Sequence, residues 1–487
     1  MKRILAMILA LGLMMTCFAA SAEPEESALP AVGEVVYGFE VKEVRDFPLI
    51  DAQIVRFEHQ KTGAELYYVA NDDTNRVFDL TFFTDAVDQT GLPHVFEHST
   101  LSGSEKYPSK SLFFNLSYQT YNTYMNAFTT DRMTSYPVAS LSEAQLLKYA
   151  DFYTDSCLHP MILEDESIYR EEAWRYRMAD EDSPLTIEGT VYSEMLGMLD
   201  QSAVAYKNSL AVTFPGSMIS NEEGGDPAYI PDMTWDMLKE YHEKYYHPSN
   251  CVAYLYGEFE DYAAFVKLLD EAFSPYEKRE FVHTDEGYQP LTESVEVSIA
   301  YPAEASADPE DLSIYYAVLC PGLAGEEERQ MDTLTQMLAD SASPIQLALQ
   351  EKIPYGEFSC YVELAGPEPV VLFILEYAAT GDDEVFKGIV NDALAEVAEK
   401  GFQQDLVDAE MSSLELEIRL IREKGSVGVD SIIPGLAYQY AVKGDPWGYL
   451  DYIDSLSMMD EWNQQGVYAA AAAKWLVNPA VTATTVT

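Results

Sequence analysis

Histidine, cysteine and positive charge are all scarce in this chain of 487 residues, and long apolar runs are scarce beyond its first twenty residues. It carries 29 Lys and Arg against 82 Asp and Glu, a net charge of −53. So acidic a surface repels polyanions, which excludes nucleic acid and anionic membrane surfaces as partners. It fits either a field that favours basic peptides or a halophilic or acid-adapted exterior. The 5 Cys are widely spaced, without a CxxC pair, so a zinc–thiolate centre is not expected. Cys157, Cys251, Cys320 and Cys360 are read as isolated buried thiols, an oxidised pair remaining open. No segment after the N-terminus has the length and apolarity of a membrane span.

The N-terminus itself reads as an export signal. Met1-Lys2-Arg3 is a basic start, Ile4 to about Phe18 an apolar stretch, and Ala20-Ser21-Ala22 an A-x-A cleavage site before Glu23-Pro24. Residues 1–22 are therefore expected to be removed and the protein to be secreted or periplasmic. The rest is too long for one ordinary domain, and 48% hydrophobic content can fill real cores.

With 7 His in the whole chain, two of them four residues apart are conspicuous. Gly91-Leu92-Pro93-His94-Val95-Phe96-Glu97-His98 places His94 and His98 on one helical face, with Glu97 beside them. Pro93 suits a first helical turn, where its missing N–H costs nothing. Two neutral imidazoles one turn apart can grip one Zn²⁺, and a neighbouring carboxylate that is not a ligand can serve as general base. H-x-x-E-H is the inverted form of a zinc-protease signature. The plain alternative is an amphipathic helix with a solvated glutamate. A catalytic zinc needs a third protein ligand. Glu194, in a segment readable as helix from about Thr186 to Asp200, projects beside the apolar face of Val191, Met195 and Met198. Periodicity alone does not separate it from a surface charge.

The chain resembles the pitrilysin/insulinase family of zinc peptidases, in its presequence-protease branch. The resemblance runs through Thr90 to His98, Leu101-Ser102-Gly103-Ser104-Glu105-Lys106-Tyr107-Pro108, Asn126-Ala127-Phe128-Thr129 and Asp131 to Ser140. It continues through Gly224-Gly225-Asp226-Pro227 and Tyr246-His247-Pro248-Ser249-Asn250, covering roughly residues 40 to 280. It implies one Zn²⁺ per chain held by His94, His98 and Glu194, with Glu97 as catalytic base. It also implies a strand at Asn126, Ala127 and Phe128 that binds extended peptide substrates by β-augmentation. The expected fold is α+β: two tandem repeats, each a mostly antiparallel sheet backed by helices. The first would span residues 35–280 and the second, without metal, 295–487, with an irregular linker from Pro275 to Ser294.

Within these repeats, strands are expected at Val77–Thr84, Tyr121–Thr129, Arg132–Ala139, Cys251–Gly257, Leu312–Leu319, Glu357–Val362 and Val370–Glu376. Helices are expected at Asp261–Phe273, Glu326–Ala339, Asp383–Lys400, Gln404–Glu423 and Asp460–Leu476. His159, His242 and His247 are read as structural, and His59 and His283 receive no role.

The chain departs from the family in length. Members of this branch have two such halves, the second supplying an arginine and a tyrosine at the substrate. Here Leu349 to Gly356 resembles the related motif, but Gln350 stands where arginine is expected, and Tyr355 could act only across a facing chain. A partner C-terminal half or a homodimer is the corresponding expectation, and a peptide-binding, catalytically weak half-shell is the alternative function.

Overall fold

The computed structural model describes residues 29–487 apart from 199, 284, 301–310 and 424. The expected export signal, residues 1–22, lies outside the described residues. The architecture is α+β, with two large sheets in sequence, each covered by helices.

The first sheet runs, in spatial order, Val35–Val36, Phe39–Phe47, Ala52–His59, Glu65–Ala70, Cys251–Tyr256, Arg76–Phe83, Met133–Ser135 and Phe128–Thr129. Val138–Ser140 also pairs with Arg76–Phe83, and Tyr124–Met125 with Val138–Ser140. Every pairing is antiparallel except that of Cys251–Tyr256 with Glu65–Ala70. Cys251–Tyr256 is buried throughout and Arg76–Phe83 nearly so, as their continuous apolar and aromatic composition requires of central strands. One face of this sheet packs on the helices Leu92–Thr100, Glu143–Leu158, Trp235–Tyr245 and Tyr262–Phe273. The second sheet is ordered Val295–Ser298, Thr482–Val486, Leu312–Leu319, Val370–Ala378 and Glu357–Glu363, with one parallel pair at its Val295–Ser298 edge.

Each half lends a helix to the other's sheet. Ala205 and Leu210 of the helix Gln201–Thr213, with Phe214 at its C-terminal cap, pack on Tyr315, Leu372 and Ile374 of the second sheet. Conversely Ile433, Leu436 and Trp447 cover Ile54, Tyr67 and Tyr254 on the far face of the first. Arg132 adds a polar tie, donating from Nε and Nη2 to the Ala365 carbonyl at 2.9 and 2.5 Å. A fully buried aliphatic or aromatic side chain contributes about 1.5–3 kcal/mol, so this exchange couples the halves more strongly than a linker would.

Local structure departs from the sequence pattern at four places. Thr186–Glu188 is not helix but a strand paired with Arg175–Arg177, and the helix begins at Thr190. Gly189 explains the break: a Cβ there would stand 2.0 Å from the Ala173 carbonyl oxygen, so the chain passes through a contact that only glycine allows. The expected strands Tyr121–Thr129 and Arg132–Ala139 are each reduced to two short pieces, the second interrupted at Tyr136-Pro137, where proline has no N–H for the ladder. The expected helix Asp460–Leu476 is broken at Gly466, which adopts a left-handed φ of 71°. The helix Leu112–Gln119, for which no element is expected, packs Leu112, Phe113 and Leu116 against the core only half-buried.

Candidate metal centre

The helix Leu92–Thr100 is seated by glycine. Gly91 precedes it with φ 74°, a left-handed conformation that a side chain disfavours. A Cβ on Gly91 would lie 2.5 Å from the Gly224 carbonyl oxygen and 2.6 Å from Gly225 Cα. Gly225, with φ 93°, is equally constrained against Gly91 and Thr90. Hydrogen bonds close the seat: Asp226 N–H donates to the Gln89 carbonyl, Glu222 N–H to Gln89 Oε1, and Asn221 Nδ2 to the Ala86 carbonyl. The Gly224-Gly225-Asp226 motif thus grips the loop that aims the two histidines.

From this helix Leu92, Val95 and Phe96 enter the core, leaving His94 and His98 half-buried on the opposite face with ring centroids 4.8 Å apart. Glu194 arrives from the helix Thr190–Met198, anchored by buried Val191 and Met195. Its Oε2 lies 3.9 Å from His94 Nε2 and 3.5 Å from His98 Nε2. One ligand atom from each of the three residues falls within 4.8 Å of the others, and among the described residues no other such trio of His, Cys, Asp or Glu converges. The ring nitrogen Nδ1 of His98 faces Glu172 Oε2 at 3.5 Å. That carboxylate orients the ring so that Nε2 is the available ligand atom. Burial opposes a charge on His98, but Glu172, Glu97 and Glu194 outweigh it and push its pKa above the usual imidazole value.

Glu97, 8% exposed, takes no part in the trio. Its Oε2 accepts a 2.7 Å hydrogen bond from the Thr129 hydroxyl. Both sit in the wall of a cavity of about 570 Å³ that also holds His94, His98, Glu194, Glu222 and Glu223. Asn126, Ala127 and Phe128 line the same cavity. Phe128–Thr129 is the last strand in the sheet order, so its outer backbone edge has no strand partner among the described residues. Asn126 is exposed, and its carbonyl accepts from Tyr153. All seven residues singled out in the sequence therefore meet at one cavity.

The donor set suits a divalent ion: two imidazole nitrogens and one carboxylate oxygen, with a second carboxylate held back, is the composition of a catalytic zinc site with an open position.

Sequence reasoning missed Glu172 and Thr129. Nothing distinguishes Glu172 among 82 acidic residues, whereas Thr129 closes the Asn126-Ala127-Phe128-Thr129 motif and could have been found there. The remaining described histidines lie elsewhere. His242 bonds the Cys157 carbonyl, His247 caps Ser249, His59 joins Thr62 and Asp270, and His283 joins Asp85 and Asn250. His159 stacks on Tyr276. Cys157, Cys251, Cys320 and Cys360 are buried free thiols, and Cys320 and Cys360 donate to the Val318 and Thr335 carbonyls. Tyr355 is exposed and donates to Asp382, and Gln350 is exposed nearby.

A model of the insulinase family of peptidases (M16) matches residues 83–201, and one described as the peptidase M16 inactive domain matches residues 232–414. Protein HypA of Clostridium perfringens is 29% identical over 455 residues, which are 91% of this chain and 46% of that protein. Presequence protease 1, chloroplastic/mitochondrial, of Arabidopsis thaliana is 29% identical over 445 residues, 88% of this chain and 41% of that protein. The chain thus spans less than half the length of these curated relatives. Among solved structures, a protease from Helicobacter pylori has the same fold, with a TM-score of 0.69 at 15% identity over 91% of this chain and 98% of that one. Pitrilysin follows it at 0.59 and 17%, over 92% of this chain and 46% of that one. By both family models, the relatives along most of its length and the shared fold, the chain belongs to the insulinase, or M16, family of peptidases.

Proposed function

We propose that this chain is one half of a zinc metallopeptidase that hydrolyses extended, unstructured peptides. The observation that carries the reading is the convergence of His94, His98 and Glu194 beside a separate, buried Glu97 in one cavity. His94 and His98 would hold Zn²⁺ through Nε2 and Glu194 through its carboxylate, with Glu172 orienting His98. Bound there, the ion would supply Lewis acidity at the scissile carbonyl and lower the pKa of a water towards about 7. Glu97 accepts the proton of the attacking water and returns it to the leaving amine, the work of a general base that becomes a general acid. The open edge at Phe128–Thr129, led in by Asn126 and Ala127, pairs with the substrate backbone. Main-chain hydrogen bonds make such recognition tolerant of sequence and demanding of an unfolded substrate. Glu222 and Glu223 in the cavity and the charge of −53 favour basic peptides.

Full activity would draw on a partner, either a C-terminal half chain or a second copy, because Gln350 replaces the expected arginine and Tyr355 is engaged with Asp382. One missing transition-state donor typically costs about 10²–10³ in rate. Export as a secreted or periplasmic protein is proposed from the residue 1–22 pattern alone.

A second reading, a peptide-binding half-shell with weak or no catalysis, is favoured by the inactive-domain match over residues 232–414. Metal analysis with a quenched-fluorescence peptide assay separates the two, on the purified chain and then with a candidate C-terminal half added. One zinc per chain with hydrolysis that E97Q abolishes supports the peptidase. Peptide binding without turnover in either preparation supports the half-shell.

A further inference from the structure

The hydrogen bond between Thr129 and Glu97 joins the substrate edge to the base. Thr129 belongs to the edge strand Phe128–Thr129 and stands directly across the ladder from Thr134. Its hydroxyl reaches Glu97 Oε2 at 2.7 Å. Behind it, Thr134 Oγ1 lies 3.5 Å from Thr129 Oγ1 and 2.9 Å from Thr84 Oγ1, and both Thr84 and Thr134 are fully buried. A hydroxyl has one proton to give. Thr129 gives its proton to the Glu97 carboxylate, while Thr134 shares a 2.9 Å hydrogen bond with Thr84 in which either hydroxyl can be the donor.

We propose that Thr129 is a positioning residue: it fixes the Glu97 carboxylate by Oε2, leaves Oε1 to take the proton, and transmits the docking of a peptide on the edge strand to the placement of the base. This deepens the peptidase reading and rests on Glu97 being the base. A free glutamate has three rotatable bonds and, one residue from His98, could swing towards the ion as a further ligand. The Thr129 hydroxyl pulls it the other way, towards the sheet. Because the same short strand would carry substrate backbone bonds on its outer edge, a bound peptide that orders Phe128–Thr129 also orders Glu97. Binding energy gained along the peptide would then appear in turnover, as expected of interactions realised at the reacting centre.

The test compares T129V, which keeps shape and β-branching, with T129S, which keeps the hydroxyl. In T129V, kcat is expected to fall about 10- to 100-fold, the cost of a displaced catalytic group, with KM changed less than about twofold and zinc stoichiometry and Tm at wild-type values. T129S should recover most of the loss, a rescue that a purely structural role in the strand would not single out. Should T129V fail to fold, T129A removes the same hydroxyl. Crystal structures of zinc-loaded wild type and the hydroxyl-free variant give a readout without activity: Glu97 is expected to leave its place or split into two conformers. Unchanged kcat, or Glu97 superimposing on wild type, overturns the proposal. If wild type binds zinc but turns over no peptide, alone or with a C-terminal half added, the peptidase reading fails while the structural comparison still decides the role of Thr129.

Discussion

Gly91 and Gly224 touch backbone to backbone: a methyl group on Gly91 would come within 2.5 Å of the Gly224 carbonyl oxygen, at a φ of 74° that already disfavours one. The loop from Asn221 to Asp226 is therefore the seat of the histidine helix. G91A is expected to destabilise the fold by about 2–4 kcal/mol, strain and clash together, and to weaken zinc binding because both imidazoles move with the helix. Thermal unfolding and zinc titration measure the two effects. A variant with wild-type Tm and affinity would show that the seat yields freely.

The trio and the base should separate cleanly. E97Q is expected to retain one zinc per chain while losing hydrolysis by about 10²-fold or more, the range of general-base contributions. E194Q, which removes a ligand charge, should lose the metal first. Metal content after dialysis, set beside peptide turnover, distinguishes them, and metal loss in E97Q would assign Glu97 to the ligands instead.

Glu172 would act on a bound metal only through His98, whose Nδ1 it faces at 3.5 Å. E172Q weakens that orientation without removing a ligand, and zinc affinity should fall about 10- to 100-fold, as for other outer partners of ligating histidines. Competition with a chelator of known affinity reads this directly, and an unchanged constant would rule the contact out as functional.

Asp79 gives a pH signature of its own. It is fully buried on the strand Arg76–Phe83, and burial pushes its carboxyl up to about 6 despite hydrogen bonds from Ser135 and Thr81. The folded state therefore holds this proton more tightly than the unfolded chain, whose carboxyl titrates near the ordinary value of about 3.9. Stability from this group is present below that value and is lost as pH rises through about 6. D79N removes the dependence, so the Tm of D79N relative to wild type should climb between about pH 4 and pH 7 and level off above. A flat difference across that window would contradict the assignment.

Arg132 ties the halves, with two donors on the Ala365 carbonyl and Nη1 3.7 Å from Asp85, whose Oδ1 is buried without a hydrogen bond. R132A leaves that carbonyl and carboxylate less well satisfied, at a cost of about 1–3 kcal/mol. Unfolding in urea, followed by probes in each half, measures the loss. No change in midpoint would mean that the exchanged helices alone hold the halves together.

Local rules were enough for much of this protein. His94, Glu97 and His98 are legible because helical spacing converts five residues of sequence into one face, and the apolar strands Arg76–Phe83 and Cys251–Tyr256 are legible because burial on both sides demands such composition. Glu194 needed the resemblance, since a single acid among 82 carries no local mark of what it will face. Tertiary structure alone decided the rest. Thr129 meets Glu97, Glu172 meets His98 and Gly91 meets Gly224 across 32, 74 and 133 residues of chain, and no periodicity encodes contacts made between separate elements. The exchange of helices between the two sheets has the same cause: an apolar helix face declares that it will be buried, but which sheet buries it depends on where the whole chain closes.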